Sequence, residues 1–245
     1  MTGLAAIFRR ELAGLFVGPL AWILLTIALA LNGYLYVVYL KLSDGDVDVS
    51  TRLALGDSFV FWAMLVLLPP LLTMRMISEE SKSGLLEFLL TAPVSDAALV
   101  TGKFLAALCF MGLLWAAVAP SAVVASAFGP PIDWGILGGA WLGALFASGL
   151  FCAIGLFASS LTSTPIVAAC AAILFSLAVV LAPMLALLTD SAWLRGAVAR
   201  VDVRAHVQES FMLGVLDTAY VVFFVAWTAL FLFLATRAVE ARRWR

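Results

Sequence analysis

Few side chains in this chain could do covalent or metal chemistry. His206 is the only histidine, and no cysteine or second histidine stands near it to complete a metal site. Cys109, Cys152 and Cys170 lie inside long uncharged stretches, where a thiol behaves as a small hydrophobe. Their spacing makes no metal pair and suits no disulfide framework. His-Glu-x-x-His does not occur, so zinc proteolysis has no ligand set. A serine–histidine protease inside the membrane needs its histidine at depth, whereas His206 falls in a charged loop. Gly102-Lys103 lacks the earlier glycine of a phosphate-binding loop, so no ATP site is expected in this chain. The expectation is a protein with no catalytic, cofactor or metal residues of its own.

Two charged features remain. Lys103 is the deepest charge, about two turns into an apolar run by helix geometry, and is expected to snorkel to the membrane surface. The segment from Arg75 to Asp96 is the densest in polar groups. It carries acid at Glu79, Glu80 and Glu87, base at Lys82, and apolar Leu85, Leu86, Leu89 and Leu90. Gly84 permits a change of direction, Leu85 to Leu90 suit a short helix, Pro93 ends it, and Asp96 can cap the next. This predicts a short helix across the membrane surface within 77–96. On pattern alone, a solvated loop with a hydrophobic anchor competes with that reading.

The elements that hold these groups follow from composition. The chain is 64% hydrophobic and 12% charged, too few charges to cover a water-soluble domain of 245 residues. A net charge of −1 gives no case for nucleic acid. Runs free of Asp, Glu, Lys and Arg cover 12–40, 58–74, 104–132, 134–189 and 218–236. A bilayer core takes about 20 apolar residues per helix, so the fourth run must hold two. It divides at Ser159-Ser160-Leu161-Thr162-Ser163-Thr164-Pro165, where proline suits a first helical turn. Six spans are therefore expected, near 20–40, 57–76, 98–126, 136–159, 165–188 and 213–236. The fold class is all-α integral membrane, one domain over 1–245, with an external loop at 190–212.

An even number of spans leaves both termini on one side. Nine basic residues then lie on that side against five on the other, which predicts N-in and C-in in a cytoplasmic (inner) membrane. Leu4, Ile7, Phe8, Leu12, Leu15 and Phe16 recur at helical spacing with Arg9, Arg10 and Glu11 between them. Residues 1–18 thus read as an amphipathic helix in the interface, its apolar face in the acyl boundary, with Gly18-Pro19 dividing it from span one. Ala28-Leu29-Ala30 has the look of a leader cleavage site, but Glu11 before the run and Pro19 within it favour a retained helix. Gly135, Gly139, Gly143 and Ala147 form a small-residue stripe that allows close backbone packing in lipid.

The run Arg75, Glu79-Glu80, Lys82-Ser83-Gly84, Glu87 and Leu89-Leu90-Thr91-Ala92-Pro93-Val94-Ser95, with Gly102-Lys103, resembles the ABC type-2 permease family. It is most similar to the branch of the gliding-motility permease GldF and the permease NosY. Arg9-Arg10-Glu11-Leu12, Gly18-Pro19-Leu20-Ala21, Gly214-Val215-Leu216-Asp217 and the end Glu240-Ala241-Arg242-Arg243-Trp244 fit the same branch. Leu85 departs from it, standing where a threonine is usual, as does Leu213, where a basic residue often precedes Gly214. The resemblance implies a subunit of a paired permease with a separate cytoplasmic ABC ATPase that binds ATP and Mg. A membrane-anchored auxiliary protein of the GldG type often accompanies it. It also implies that 77–96 is the coupling segment, with Glu79, Glu80, Lys82, Ser83, Gly84, Glu87, Leu90, Thr91 and Pro93 as its contact residues, and that 1–18 is the connecting helix.

Hydrophilic cargo needs polar groups along its path. The spans offer only Thr26, Asn32, Thr73, Ser148 and Ser176, with aromatics at Trp22, Tyr34, Tyr36, Tyr39, Phe61 and Trp62 as an expected rim or interface belt. The expected function is export of a lipid-like or amphipathic substrate. The alternative is a membrane scaffold or force transmitter that moves nothing.

Overall fold

Gly18 and Pro19 set the first boundary. Gly18 is extended, Pro19 supplies a first helical turn that needs no N–H donor, and the chain turns there between two helices. The helix before it, Gly3–Val17, is the N-terminal helix; the one after, Pro19–Leu42, is span one. This is a computed structural model that describes residues 3–84, 95–187 and 200–242, with Ser191, Trp193, Gly196 and Val198 between the last two ranges. Those residues form helices and turns with no strand, and six helices are long and apolar enough to cross a membrane. Spans two to six are Phe59–Thr73, Asp96–Ala116 continued by Val118–Ser126, Trp134–Leu161, Pro165–Leu187 and Thr218–Arg242. Each falls on an expected span.

Side-chain caps place the boundaries. Ser58 accepts from Phe61 N at 3.1 Å to start span two. Ser95, rather than the expected Asp96, accepts from Ala98 N at 3.3 Å to start span three. Asp133 accepts from Gly135 N at 2.7 Å to start span four. Span three breaks at Ala117 because Pro120 has no N–H for the carbonyl four residues back. Residues between spans one and two form a helix, Val47–Arg52, that runs into a π-helix, Leu53–Asp57. A further short helix, Val203–Glu209, and a 3-10 turn, Phe211–Leu213, precede span six.

Span four is the hub. It packs against spans two, three, five and six and is buried along most of its length, whereas spans one, five and six turn much of their surface outward. Its close contacts depend on glycine. A Cβ added at Gly139 would stand 2.5 Å from the Phe211 carbonyl oxygen, and one at Gly143 would stand 2.7 Å from Phe211 Cβ. The neighbour of the Gly135, Gly139, Gly143 stripe is therefore the turn from Phe211 to Gly214, not the side of another span. At Gly155 the missing side chain admits Thr73 and Pro70 of span two.

The polar residues expected along a path are mostly consumed inside the subunit. Trp115 Nε1 donates to Ser148 Oγ at 2.8 Å, and Thr73 Oγ1 donates to the Pro69 carbonyl at 2.8 Å. Asn32 is buried against the Met64 sulfur, and Ser176 is buried with its hydroxyl unpartnered among the described residues. Of the expected aromatic rim, Tyr36, Tyr39, Phe61 and Trp62 belong to the core, and only Trp22 and Tyr34 are exposed. Phe61 packs on Trp115 with ring centroids 4.8 Å apart, which is core packing and not an interface belt.

Candidate functional site

The N-terminal helix reaches span three because Gly102 leaves room for it. A Cβ at Gly102 would lie 2.8 Å from Ile7 Cγ2 and 3.4 Å from the Leu4 carbonyl oxygen. Ile7 is buried there, and Phe16 packs on Phe110 at 5.9 Å between ring centroids. The apolar face expected in the acyl boundary is thus turned in large part onto the protein. That contact brings Arg10 and Glu11 beside the next residue of span three, Lys103.

Lys103 does not snorkel. Its side chain has 0% exposure, and its Nζ lies 2.9 Å from Glu11 Oε1 and 2.9 Å from Glu80 Oε2. Arg10 Nη2 closes the ring, 2.6 Å from Glu11 Oε1 and 2.8 Å from Glu80 Oε1. Two cations and two carboxylates from three separate elements neutralise one another. A lysine in hydrocarbon is costly alone, and burial becomes tolerable once its charge is matched and hydrogen-bonded. The sequence carried half of this signal, a lysine two turns into an apolar span, but not which acids meet it.

Glu80 enters the ring from the short helix Ser78–Lys82, just beyond span two. Ser159, near the end of span four, fixes that helix. Its Oγ accepts from Ile77 N at 3.2 Å and Ser78 N at 3.0 Å, and donates to the Met74 carbonyl at 2.9 Å. One hydroxyl thereby satisfies three buried backbone groups at the turn. Ser159→Ala leaves the Ile77 and Ser78 amides without this partner, while the Met74 carbonyl keeps the Ser78 hydroxyl, a cost of about 1–3 kcal/mol. The expected result is a lower unfolding midpoint in detergent and faster amide exchange at Ile77 and Ser78. Unchanged exchange at both amides would show that the hydroxyl does not hold the turn.

The expected contact residues then separate. Glu79, Lys82, Ser83 and Gly84 are exposed, and Gly84 takes a φ of +74°, a conformation that favours glycine. Glu80 faces inward, its side chain 12% exposed. Glu87, Leu90, Thr91 and Pro93, with the short helix expected over Leu85 to Leu90, lie outside the described residues. A cleft of about 350 Å³ separates the N-terminal helix from the end of span two, lined by Glu11, Gly14, Gly18, Leu72, Arg75 and Glu79 among others. Among the described residues no group of three or more His, Cys, Asp and Glu side chains is placed to hold a metal.

Among the described residues the arrangement is a set of paired charges and backbone hydrogen bonds. The chain that leads into 85–94 is joined through Glu80 to span three and the N-terminal helix, and through Ser159 to span four. The family model for ABC-2 family transporter proteins matches residues 50–240. Glu80 and Lys103 lie within the match, and Arg10 and Glu11 lie before it. No curated protein matches the chain.

Proposed function

This chain belongs to the ABC-2 transporter family and is a membrane permease component of an ABC transporter, and we propose that it drives export of a lipid-like or amphipathic substrate from a cytoplasmic membrane. Membership implies an ABC ATPase as partner. In this reading the N-terminal face is cytoplasmic, a second permease copy completes the conduit, and a membrane-anchored auxiliary protein of the GldG type joins in organisms that have one. ATP and Mg stay in the ATPase.

The observation that carries the reading is the placement of residues 77–84. Glu80 is held inside the subunit by Lys103 and Arg10, while Glu79, Lys82 and Ser83 stay on the surface. That is what a contact segment needs: an outer side for the ATPase and an inner side fixed to the spans. Glu79, Lys82, Ser83 and Gly84, continued by Glu87, Leu90, Thr91 and Pro93, form the proposed ATPase contact. Support for the substrate class is the scarcity of unengaged polar groups in the spans.

Glu79→Lys is the cleanest test, because the side chain is exposed and outside the ion ring. The variant should insert and fold as the parent does, while the ATPase subunit co-purified from native membranes falls severalfold, since charge pairs across an interface fix register. Equal recovery of the ATPase would remove the contact assignment. ATP hydrolysis by the reconstituted complex should rise with lipids or hydrophobic peptides. Stimulation by a sugar or metal ion alone would refute the substrate class. Hydrolysis that cycles with no transported species would favour the force-transmitting alternative.

A further inference from the structure

The face opposite the N-terminus carries a second group of charges, and it is not balanced. The π-helix Leu53–Asp57 is held by Trp62, whose Nε1 donates to the Gly56 carbonyl at 2.6 Å, and by Met212, which fills the space a side chain at Gly56 would need. π-Helical turns are rare and often mark functional sites. This one places Asp57 beside the Gln208 side chain of the helix Val203–Glu209. Burial pushes the Asp57 carboxyl above the ordinary carboxylate range, while Arg52 and Gln208 draw it part of the way back.

Arg204 lies one turn before Gln208, on the same side of that helix, with its guanidinium carbon 5.9 Å from the Trp62 ring centroid. Arg52 acts on Asp57 through space, and among the described residues neither arginine forms a salt bridge. The Nε atoms of both are buried and have no hydrogen-bond partner among the described residues. The two acids that flank Arg204, at the cap and the end of its helix, are hydrogen-bonded elsewhere. Asp202 accepts from the Arg204 and Ala205 amides at 2.9 and 3.1 Å, and Glu209 accepts from the Tyr220 hydroxyl at 3.1 Å. Arg52 therefore faces a half-buried carboxyl and Arg204 lies against Trp62 on the neighbouring helix, both on the segments that lead into spans two and six. This is the level at which lipid headgroups lie.

We propose that Arg52 and Arg204, oriented around the π-helix with Gln208 beside them, form a binding site for a phosphate group at the membrane surface. Guanidinium suits this ligand, since its planar fork meets phosphate oxygens with paired, charge-assisted hydrogen bonds. The apolar wall of Trp62 strengthens such bonds by keeping water from one side. The site is independent of the ATPase contact, on the other face of the subunit.

Arginine-specific modification of the full-length chain in detergent tests this, first on the wild type. Phenylglyoxal labelling, read peptide by peptide by mass spectrometry, is run with phosphatidylglycerol, with a neutral glycolipid of the same acyl chains, and with inorganic phosphate. Arg237, which pairs with Glu240 at 2.7 Å on the opposite face, is the internal control. Labelling of Arg52 and Arg204, but not Arg237, should slow about tenfold with phosphatidylglycerol, the scale of one charge-assisted hydrogen bond. Protection by phosphatidylglycerol without protection by phosphate identifies a headgroup held with its chains. Equal protection by phosphate alone identifies the free anion as sufficient. Arg204→Gln should restore the labelling rate at Arg52. Equal rates in all arms, or protection by the neutral glycolipid, would overturn the proposal.

Discussion

Lys103→Met should cost more than any other single change of a charged residue in this chain. Methionine matches the length of the lysine stem and stays apolar, so packing is nearly conserved and the loss is electrostatic. Glu11 and Glu80 would face each other, at 15% and 12% exposure, with Arg10 alone between them. Removing one member of a buried charge set costs about 3–5 kcal/mol, because the remaining charge is stranded. That is a large share of the ~5–15 kcal/mol that holds a domain together. Folded, monodisperse protein in detergent should fall sharply. Arg10→Met, at a side chain 44% exposed, should change the yield little.

A second arm separates stranded charge from lost shape. Combining Lys103→Met with Glu11→Gln and Glu80→Gln removes both stranded carboxylates and leaves only Arg10, which at 44% exposure can turn to water; a buried ion set replaced by neutral groups of the same volume is often no less stable. The triple variant should recover yield that the single variant lost. If it also recovers ATP-driven activity in the complex, the ring serves stability alone. If folding returns while hydrolysis no longer responds to substrate, the ring carries the coupling between residues 77–84 and span three. A Lys103→Met protein as stable as the parent would show that the four charges do not act as a unit.

The spans were legible in the sequence because the bilayer sets their length, and apolar runs of about 20 residues without a charge match it. The N-terminal helix was legible from its period. Its partner was not. Periodicity shows which face of Gly3–Val17 is apolar but not that Gly102, nearly a hundred residues later, leaves a place for Ile7. The same limit hid the fate of Lys103. Its depth was readable, while its partners come from two elements brought together only by tertiary packing. Pro120 could have announced the break in span three, since proline inside a helix removes a backbone bond. The π-helix at Leu53–Asp57 carries no such mark. Ser148 and Thr73 looked available for a path because composition does not reveal that Trp115 and the Pro69 carbonyl take their hydroxyls.

Gly139→Leu is expected to have the next largest effect, and Gly138→Leu almost none, although the two positions are adjacent on one helix. At Gly139 the obstacle is backbone: the Phe211 carbonyl oxygen at 2.5 Å and Gly214 Cα at 2.9 Å from an added Cβ. Gly214 has a φ of +71°, and its own Cβ would stand 2.9 Å from the Gly135 carbonyl carbon. Neither side can yield by a rotamer change, so the turn must leave the groove. Overpacking of flexible side chains typically costs about 1–3 kcal/mol, and a rigid backbone contact belongs at or above the upper end. Gly143 is the intermediate case, since the Phe211 ring beside it can move in part. At Gly138 nothing lies within 4 Å of an added Cβ, and leucine is the better helix former there. Displacing Phe211 to Gly214 would carry Met212 off Gly56 and loosen the helix Val203–Glu209. The damage should therefore reach Arg204 and Asp57, and phenylglyoxal labelling of Arg204 should rise in any Gly139→Leu protein that survives purification. Equal yields for Gly138→Leu and Gly139→Leu, with labelling unchanged, would mean that the stripe does not seat this turn.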